Sequence, residues 1–539
     1  MAANEASNTA TAKTGNRPRP VVGTVKNNDI LDIEITEQDE ALFGFEDHSE
    51  QGAQGGTQPT NAEEYAEDEA NSQGSNLDVS QTIPDVVFRA YDIRGIAGSQ
   101  VSNELAYKVG QSVASEALDD GENTLIIARD ARLSSPELTE YLIRGVLSTG
   151  CDVLNIGTVP TPLMYFATEV LDTCSSGIIV TASHNPADHN GFKIVINGKC
   201  RSEEDIKAIR GRILKGEIYR GTGTEHRHDI VPQYIDTIFS DVALAGEISI
   251  VVDAANAVAG TVAPQLFEEL GCQVTPLYCD LDGSFPNHSP DPSVEANLQD
   301  LIKAVQDAGA DMGVAFDGDG DRLAVVTPKG KIIWPDRLLM LYARDIVSRN
   351  PGADVVFDVK STRHLNKCIT EVGGRPVMWK TGHSPMKAKM QETGALLGGE
   401  FSGHIFIKDR WYGFDDGLYA AARLIEIVSL QGQSLDDLCE ELPQSVATPE
   451  IRVPVSEDKK FALIESLRAS GNFADAKITC IDGLRADFSK GWGLVRASNT
   501  SAAITLRFEA DTPDFLHKLK ALFVREIRKI DNTINIDWK

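Results

Sequence analysis

The chain has 539 residues, of which 42% are hydrophobic and 24% charged, and a net charge of -29 at pH 7. We do not expect it to bind nucleic acid or an anionic membrane surface, because both attract clustered positive charge. No run approaches the eighteen apolar residues of a membrane span, and the N-terminus lacks the apolar core of a signal peptide. The eight cysteines contain no CxxC pair, which predicts reduced thiols and a cytoplasmic location.

The first eighty residues predict a disordered acidic leader. Residues 29–80 contain fifteen Asp or Glu and no Lys or Arg, and few aromatic residues accompany them. Such a segment is too polar to bury a core. Acidic and apolar residues are mixed at 30–35 and 41–47, a pattern that could dock on a partner protein. An unstructured leader without a partner is the alternative.

The rest of the chain predicts α/β layering, because apolar strand-like runs alternate with helix-period segments. Runs at 125–128, 248–253 and 355–358 open three successive sets. After about Gln444, alternating strands and two helical stretches, at roughly 457–470 and 513–530, predict a smaller α+β domain. The predicted domains are 81–228, 229–331, 332–443 and 444–539.

Two early motifs carry groups that could meet an anion. Tyr91 and Arg94 surround a short turn at the start of the folded body, where a structural salt bridge is the alternative to ligand binding. Ser183 stands in TASHNP directly after an apolar run, so its hydroxyl is aimed by a rigid turn, although an ordinary Ser/Asn turn fits as well. Lys193 could neutralise phosphate, or move a proton if its pKa is lowered; a solvated surface lysine is the alternative.

The motif DGDGDR at 317–322 is the most informative feature of the chain. Asp317, Asp319 and Asp321 lie two apart between two apolar runs, and carboxylate oxygens are the ligands of a hard ion such as Mg²⁺. Arg322 adds a fork suited to phosphate. An EF-hand would need Gly and Glu at the sixth and twelfth positions, where Arg322 and Pro328 stand. A solvated acidic turn is the remaining alternative.

Two later motifs could bind a phosphorylated sugar. In GEFSGH, Glu400, Ser402 and His404 alternate, and on an extended segment they would point to one side, where carboxylate and hydroxyl suit vicinal sugar hydroxyls. RASNT at 496–500 offers a guanidinium, hydroxyls and turn amides, a nest for a dianionic phosphate. His383 and His404 could instead be satisfied core or turn residues.

Together these motifs resemble those of the α-D-phosphohexomutases, and within them the bacterial phosphomannomutase/phosphoglucomutase group. The resemblance runs from about residue 84 to the C-terminus. It is carried by AYDIRG at 90–95, TASHNP at 181–186, FPNH at 285–288, DGDGDR at 317–322, KTGH at 380–383, GEFSGH at 399–404 and RASNT at 496–500. The motif at 496–500 commonly continues to a proline in the family, whereas Ser501 and Ala502 follow here.

The resemblance implies three α/β/α mixed-sheet domains and a C-terminal domain with a TATA-binding-protein-like sheet around a central cleft. It implies that Ser183 is a phosphoserine whose phosphate shares Mg²⁺ with the three aspartates, and that Glu400 and Ser402 hold the sugar. The phosphate that is not transferred would meet Arg496, Ser498, Asn499 and Thr500. The cleft would also be lined by Tyr91, Arg94, Lys193, Arg322, Lys360, His383 and His404.

The implied activity is reversible conversion of mannose and glucose 1-phosphates to 6-phosphates through a 1,6-bisphosphate, which would also act as an activator. Lys193, His404 and Arg94 remain open as the general base. Phosphoglucosamine mutase is the main alternative; a polar residue is common there at the position of Phe401, which favours the mannose and glucose group. A phosphoserine phosphatase and a non-catalytic sugar-phosphate sensor are further alternatives. The resemblance favours a monomer, while sugar preference and pathway stay open.

Overall fold

The computed structural model describes residues 83–473, 476–498 and 501–536. The predicted leader, and Asn499 and Thr500 of the predicted phosphate nest, lie outside these ranges. Four sheets follow one another along the described chain, each with helices from the same segment. No helix in these ranges is both long enough and apolar enough to cross a bilayer.

The first sheet is mixed, has seven strands, and runs in the order β1-β5-β4-β2-β3-β7, with β6 paired to β5. Alternate residues of β2 face opposite sides, so both faces of the sheet are buried. Its strands are β1 (Ile93–Ile96), β2 (Thr124–Arg129), β3 (Asp152–Thr158), β4 (Gly177–Val180), β5 (His189–Ile196), β6 (Lys199–Cys200) and β7 (Glu225–Arg227). Its helices are α1 (Asn103–Asp119), α2 (Ser135–Leu147), α3 (Thr161–Val170) and α4 (Glu204–Lys215).

The second sheet has five strands in the order β12-β11-β10-β8-β9. It extends past the boundary predicted at residue 331, because β12 pairs antiparallel with β11. Its strands are β8 (Ser249–Asp253), β9 (Gln273–Leu277), β10 (Met312–Phe316), β11 (Leu323–Val326) and β12 (Ile332–Ile333). The accompanying helices are α5 (Val231–Asp241), α6 (Ala263–Glu269) and α7 (Gln299–Ala308).

The third sheet has four strands in the order β14-β13-β15-β16, with β16 antiparallel to β15. Gly432 ends the long helix α11 in the left-handed conformation that glycine adopts without strain. The strands are β13 (Asp354–Asp358), β14 (Arg375–Trp379), β15 (Leu397–Gly399) and β16 (Ile405–Ile407). The helices are α8 (Pro335–Arg349), α9 (His364–Glu371), α10 (His383–Thr393), α11 (Gly417–Gln431) and α12 (Leu435–Glu440).

The fourth sheet has six strands in the order β17-β22-β21-β20-β19, with β18 also paired to β22. Every strand pairing given for it is antiparallel, and two helices cover one face. The strands are β17 (Val446–Ala447), β18 (Ile451–Pro454), β19 (Lys477–Thr479), β20 (Leu484–Phe488), β21 (Gly491–Ala497) and β22 (Ala503–Ala510). The helices are α13 (Glu457–Ser470) and α14 (Pro513–Ile530).

The first three sheets share one continuous hydrophobic cluster, whereas the fourth has its own. The fourth domain meets the third through buried polar contacts. Arg507 donates to Asp336 at 3.0 Å, and Arg485 donates to the Val359 carbonyl at 2.7 Å. The first three domains therefore form a common body. The fourth is attached to the third by these polar contacts and by a small apolar cluster of Val359, Trp492 and Leu494.

Candidate active site

Ser183 lies in the tight turn after β4, buried and with a positive φ of 49°. Left-handed backbone is uncommon for a residue with a side chain and has to be held by its surroundings. The Ser183 amide donates to the Thr181 hydroxyl at 2.9 Å, and Thr181 in turn donates to Asp130 at 2.8 Å. The turn thus fixes the direction of the Ser183 hydroxyl.

That hydroxyl faces the acidic loop between β10 and β11. Ser183 Oγ donates to Asp317 Oδ2 at 2.7 Å, although the two residues are 134 positions apart in the chain. Asp317, Asp319 and Asp321 are completely buried, and one oxygen of each lies within 4.8 Å of the others. Asp319 Oδ1 and Asp321 Oδ1 have no hydrogen-bond partner. Buried, unpaired carboxylate oxygens that converge in this way fit a divalent cation.

The ionisation of these carboxyls follows their burial and charge. Burial raises the pKa of Asp317, and the neighbouring Asp321 and Asp319 raise it further. Burial would also raise the pKa of Asp319, but the charge of Lys193 and its hydrogen bond outweigh burial and lower it. Positive charge therefore decides which carboxylates stay ionised.

Lys193 extends from β5 into the acidic loop. Its Nζ donates to Asp319 Oδ2 at 2.6 Å and to Asp321 Oδ2 at 2.5 Å. Burial alone would lower the pKa of Lys193, but the two carboxylates raise it above its ordinary value. The pKa of Lys193 is therefore shifted in the direction opposite to the one that a proton-transferring lysine needs. The side chain is also buried, so Lys193 is not a solvated surface lysine.

Arg322 and His404 form a second cluster beside the acidic loop. Arg322 Nε donates to His404 Nε2 at 3.1 Å and lies 3.7 Å from Asp317 Oδ2. The other ring nitrogen of His404, Nδ1, lies 3.1 Å from Asp415 Oδ2. Burial would raise the pKa of Asp415, but Lys387, which donates to it at 2.8 Å, and the nearby histidines hold it well below the usual range.

The segment that carries Glu400 and Ser402 is a tight turn between β15 and β16. The extended conformation expected for it is wrong, because the Gly403 amide donates to the Glu400 carbonyl and Gly403 has a φ of 104°. The turn still brings the polar groups together. Ser402 Oγ donates to Glu400 Oε2 at 2.8 Å, and the amide of Gly382 donates to Glu400 Oε1 at 2.5 Å.

Residues of β1 and of the loop before it reach across to the Ser183 turn and to the third domain. Arg94 donates to Asn185 Oδ1 at 3.1 Å and forms a salt bridge with Asp92. The Tyr91 hydroxyl donates to the Thr381 carbonyl at 3.0 Å. The Tyr91 ring lies 5.9 Å from the His383 ring. Burial and then Lys387 lower the pKa of His383 well below its ordinary value, so that the ring is neutral.

Two cations at the boundary of the third and fourth domains are each held by a carboxylate of the fourth domain. Arg496 Nε donates to Asp482 Oδ2 at 3.1 Å, and Lys360 Nζ of the third domain donates to Glu450 Oε2 at 3.0 Å. Burial would raise the pKa of Glu450, but Lys360 and the nearby arginines lower it to about 2. The carbonyl of Ser498 accepts from Lys460 at 2.6 Å.

Several residues at the site carry no signal that the sequence analysis used. His184 Nδ1 lies 3.2 Å from Ser183 Oγ. Asp130 and Arg132 follow β2, which is parallel to β4, so their place at the same sheet edge as Ser183 could have been expected. The neighbours missed at the site are Asp130, Arg132, His184, Lys387, Asp415, Glu450 and Asp482.

Gly318 provides a test of how closely the serine turn and the acidic loop must approach. A Cβ at Gly318 would lie 2.3 Å from the Ser183 carbonyl oxygen, so one of the two loops would have to move. We expect Gly318→Ala to lower kcat by about 100-fold, since a displacement of about 1 Å between reacting groups costs that much. Steady-state kinetics would test this. Gly246→Ala, which meets open space, is the control, and equal kinetics of the two variants would contradict the expectation.

A buried hydroxyl against three carboxylates that fit a divalent cation, with lysine and arginine alongside, is typical of metal-assisted phosphoryl transfer. The chain belongs to the phosphoglucomutase/phosphomannomutase family, one of the α-D-phosphohexomutases. The family's alpha/beta/alpha domains I, II and III match residues 85–220, 232–330 and 334–446, and its C-terminal domain matches residues 450–526. The resemblance found in the sequence and the predicted α/β fold class are confirmed.

Relatives in several bacteria align with more than four-fifths of the chain. A phosphomannomutase/phosphoglucomutase from Pseudomonas aeruginosa is 52% identical over 457 residues, which is 85% of this chain and 98% of the relative. A phosphoglucomutase from Neisseria gonorrhoeae is 47% identical over 81% of this chain and 95% of its own length. A crystal structure of a phosphoglucomutase/phosphomannomutase family protein from Burkholderia thailandensis superposes with a TM-score of 0.81 at 45% identity, covering 84% of this chain and 99% of that one.

Proposed function

We propose that this protein is an isomerase that interconverts the 1-phosphates and 6-phosphates of mannose and glucose by intramolecular phosphoryl transfer. The observation that carries the proposal is the 2.7 Å hydrogen bond from Ser183 Oγ to Asp317, inside a buried set of carboxylates. It sets a nucleophilic oxygen beside a cation site in a chain of this family.

Ser183 carries the phosphoryl group in the resting enzyme. The free hydroxyl of a bound hexose 1-phosphate, O6, attacks the phosphorus. The bond from phosphorus to Ser183 Oγ breaks, and the hydroxyl proton passes to a base. The hexose 1,6-bisphosphate then turns end for end, returns its 1-phosphate to Ser183, and leaves as the 6-phosphate. Added bisphosphate acts as an activator because it phosphorylates Ser183 directly.

The three aspartates and the Ser183 phosphate would hold a divalent cation such as Mg²⁺, which would offset negative charge on the transferring oxygens. Lys193 balances the charge of Asp319 and Asp321. Arg322 lies beside Asp317, the residue that accepts the hydrogen bond from the Ser183 hydroxyl. A guanidinium such as Arg322 presents donors in a fixed plane, which suits the equatorial phosphate oxygens.

His404 is the best placed of the three candidate bases. Arg94 keeps its proton because a guanidinium does not deprotonate in proteins, and Lys193 is engaged by two carboxylates. His404 Nδ1 faces Asp415, which leaves the Nε2 lone pair for Arg322 in this structure and for a substrate hydroxyl during turnover. Asp415 thereby favours the tautomer that a base requires.

The sugar is held by the third domain and its distal phosphate by the fourth. Glu400 accepts hydrogen bonds from the 3- and 4-hydroxyls of the sugar, and Ser402 donates to them. No residue in this proposal distinguishes the two configurations at C2, so both mannose and glucose are admitted. Tyr91 and His383 line the cleft between them. The groups that take the phosphate not being transferred are Lys360, Arg496, Ser498, Asn499 and Thr500. Because the fourth domain has its own core, it can close and reopen over either end of the bisphosphate.

Phosphoglucosamine mutase remains the second candidate within the family. Phe401, which favours mannose and glucose, packs under the Arg507 guanidinium at 3.4 Å and 6.2 Å from the Trp334 ring. An apolar ring there serves the contact between the third and fourth domains, so its link to sugar choice is indirect. The proposal of a monomer, of a cytoplasmic location and of a protein partner for residues 1–80 rests on the sequence alone.

A coupled assay with mannose 1-phosphate, glucose 1-phosphate and glucosamine 1-phosphate tests the activity. We expect turnover of the first two, stimulated by traces of the matching 1,6-bisphosphate, and turnover of the third at least about 100-fold lower in kcat/KM, which is a discrimination of about 2.7 kcal/mol. Turnover confined to glucosamine 1-phosphate would reassign the substrate. Orthophosphate as the main product would indicate a phosphatase.

A further inference from the structure

Arg132 is completely enclosed beneath the Ser183 turn. It follows β2, and its side chain is inaccessible to solvent. Its guanidinium donates to carbonyl oxygens of four residues of the turn and of the start of β5. These carbonyls and their distances are Ser183 at 2.6 Å, Asn185 at 2.7 Å, Pro186 at 2.5 Å and His189 at 3.2 Å.

The fifth donor of the guanidinium, Nε, binds Asp130 Oδ2 at 3.0 Å, so every N–H of Arg132 has an acceptor. Asp130 Oδ2 also accepts from Thr181, whose hydroxyl accepts from the Ser183 amide. Asp130 and Arg132 together therefore hold both sides of the turn. We call this pair the clamp.

The second domain covers the clamp from the other side. The ring of Phe285 lies 5.2 Å from the Arg132 guanidinium. A Cβ at Gly283 would lie 2.3 Å from the Ala131 carbonyl, and a Cβ at Gly318 would lie at the same distance from the Ser183 carbonyl that Arg132 binds. Two loops of the second domain therefore pack against the clamp and the Ser183 turn. One carries Gly283 and Phe285, and the other is the acidic loop.

The Arg132 guanidinium binds backbone oxygens of the turn, and phosphorylation of Ser183 changes only the serine side chain. A phosphorylated Ser183 has no hydroxyl proton to donate to Asp317, so the 2.7 Å hydrogen bond exists only in the unphosphorylated state. The carbonyl contacts of Arg132 are available in both states. They can keep the left-handed Ser183 in place while the phosphoryl group leaves and returns.

We propose that Arg132 is a positioning residue for phosphoryl transfer, which holds the Ser183 turn at the acidic loop in both the phosphorylated and the free state of the serine. This inference rests on the proposed role of Ser183 as phosphoryl carrier. Lysine cannot replace arginine here, since an ammonium offers three donors at one point and cannot reach four carbonyls and a carboxylate.

The test is Arg132→Lys in the full-length protein, measured by steady-state kinetics and by hydrogen exchange. We expect kcat to fall about 100-fold with KM within about threefold, because the oxygen is displaced while the sugar contacts remain. The amides of residues 183–191 should exchange faster, and those of the fourth domain should not change.

Arg423→Lys is the matched control. Arg423 is equally enclosed and is paired with Asp409 at 3.1 Å and with Glu426 at 3.2 Å, both in the third domain. Neither partner belongs to the Ser183 turn or to the acidic loop. We expect it to lower the melting temperature while kcat stays within about twofold of the parent. If Arg132→Lys does not fold, Asp130→Asn, which keeps the shape of the clamp but removes the carboxylate charge paired with Arg132, carries the same expectation.

The inference is overturned if Arg132→Lys keeps kcat within about threefold of the parent, if exchange at 183–191 is unchanged, or if Arg423→Lys loses as much kcat. Ser183→Ala, run in parallel, separates this outcome from failure of the proposed function. An active Ser183→Ala enzyme would refute the role of Ser183, whereas an inactive one beside an active Arg132→Lys enzyme would refute only the role of Arg132.

Discussion

Replacing Ser183 by alanine is expected to lower kcat on mannose 1-phosphate and glucose 1-phosphate by about 10⁴-fold or more, as removal of a covalent nucleophile does in other enzymes. The variant lacks the oxygen that carries the phosphoryl group, and added 1,6-bisphosphate should not restore turnover. KM should change little, because the sugar is held by the third domain. The structure should also persist, since the lost hydroxyl contacts only Asp317 and His184 by hydrogen bonds among the described residues.

Two measurements check this expectation. The coupled assay gives kcat, and intact-protein mass before and after incubation with bisphosphate shows whether one phosphoryl group is gained. The parent and the control Ser348→Ala, whose hydroxyl donates only to the Asp345 carbonyl of its own helix, should both gain it. An alanine variant at 183 with more than about 1% of the parental kcat would contradict a phosphoserine mechanism.

The sequence predicted the elements that local pattern determines. The helix at 513–530 has the predicted bounds, and the apolar run at 125–128 lies on β2. The helix has a regular apolar period and a distinct start, and the strand is a continuous apolar run. Thr512 caps that helix through the Phe515 amide, and Pro513 stands in its first turn. Such signals are contained within a few residues and do not depend on the rest of the fold.

The geometry at the site depended on distant parts of the chain and could be predicted less well. Glu400, Ser402 and His404 alternate as on a strand, yet Gly403 with its positive φ turns the segment back on itself. Alternation over five residues cannot distinguish a strand from a turn when one glycine precedes the segment and another lies inside it. The pKa of Lys193 also depends on partners 126 and 128 positions away.

Arg132 illustrates the opposite case, in which topology would have been enough. Once β2 and β4 are recognised as parallel neighbours, the residues after each strand must meet at one sheet edge. Charged residues directly after β2 were then candidates for contact with the Ser183 turn. Motifs taken one at a time do not show which strand ends are neighbours, whereas motifs combined with the strand order do.

Charge balance links the observations at the acidic loop. Four buried carboxylates converge there, and lysine and arginine side chains compensate part of their charge. The carboxylates are Asp317, Asp319, Asp321 and Asp415, and the cations are Lys193, Arg322 and Lys387. Three oxygens of these carboxylates, Asp319 Oδ1, Asp321 Oδ1 and Asp415 Oδ2, have no hydrogen-bond partner in the described part of the chain. A site with uncompensated buried negative charge should bind a divalent cation and depend on it.

We therefore expect Asp319→Asn to raise the Mg²⁺ concentration for half-maximal activity at least about 10-fold and to lower kcat by about 10³-fold. Among the three aspartates of the acidic loop, Asp319 alone has a lowered pKa, because burial is outweighed by Lys193 and by a 2.6 Å hydrogen bond from Thr161. The amide keeps the size of the side chain but removes the charge, and it also weakens the hold on Lys193. Activity titrated with Mg²⁺ after chelator treatment, together with calorimetric Mg²⁺ binding, measures both effects.

Asp307→Asn is the control, since Asp307 is an exposed acid on α7 of the same domain whose nearest cation, Lys303, lies 3.9 Å away. It should leave the Mg²⁺ dependence unchanged. If Asp319→Asn required no more Mg²⁺ than the parent while kcat still fell, Asp319 would act by holding Lys193 in place. The three carboxylates would then serve chiefly to fix that lysine near the transferring phosphate, and the cation would have to be bound elsewhere.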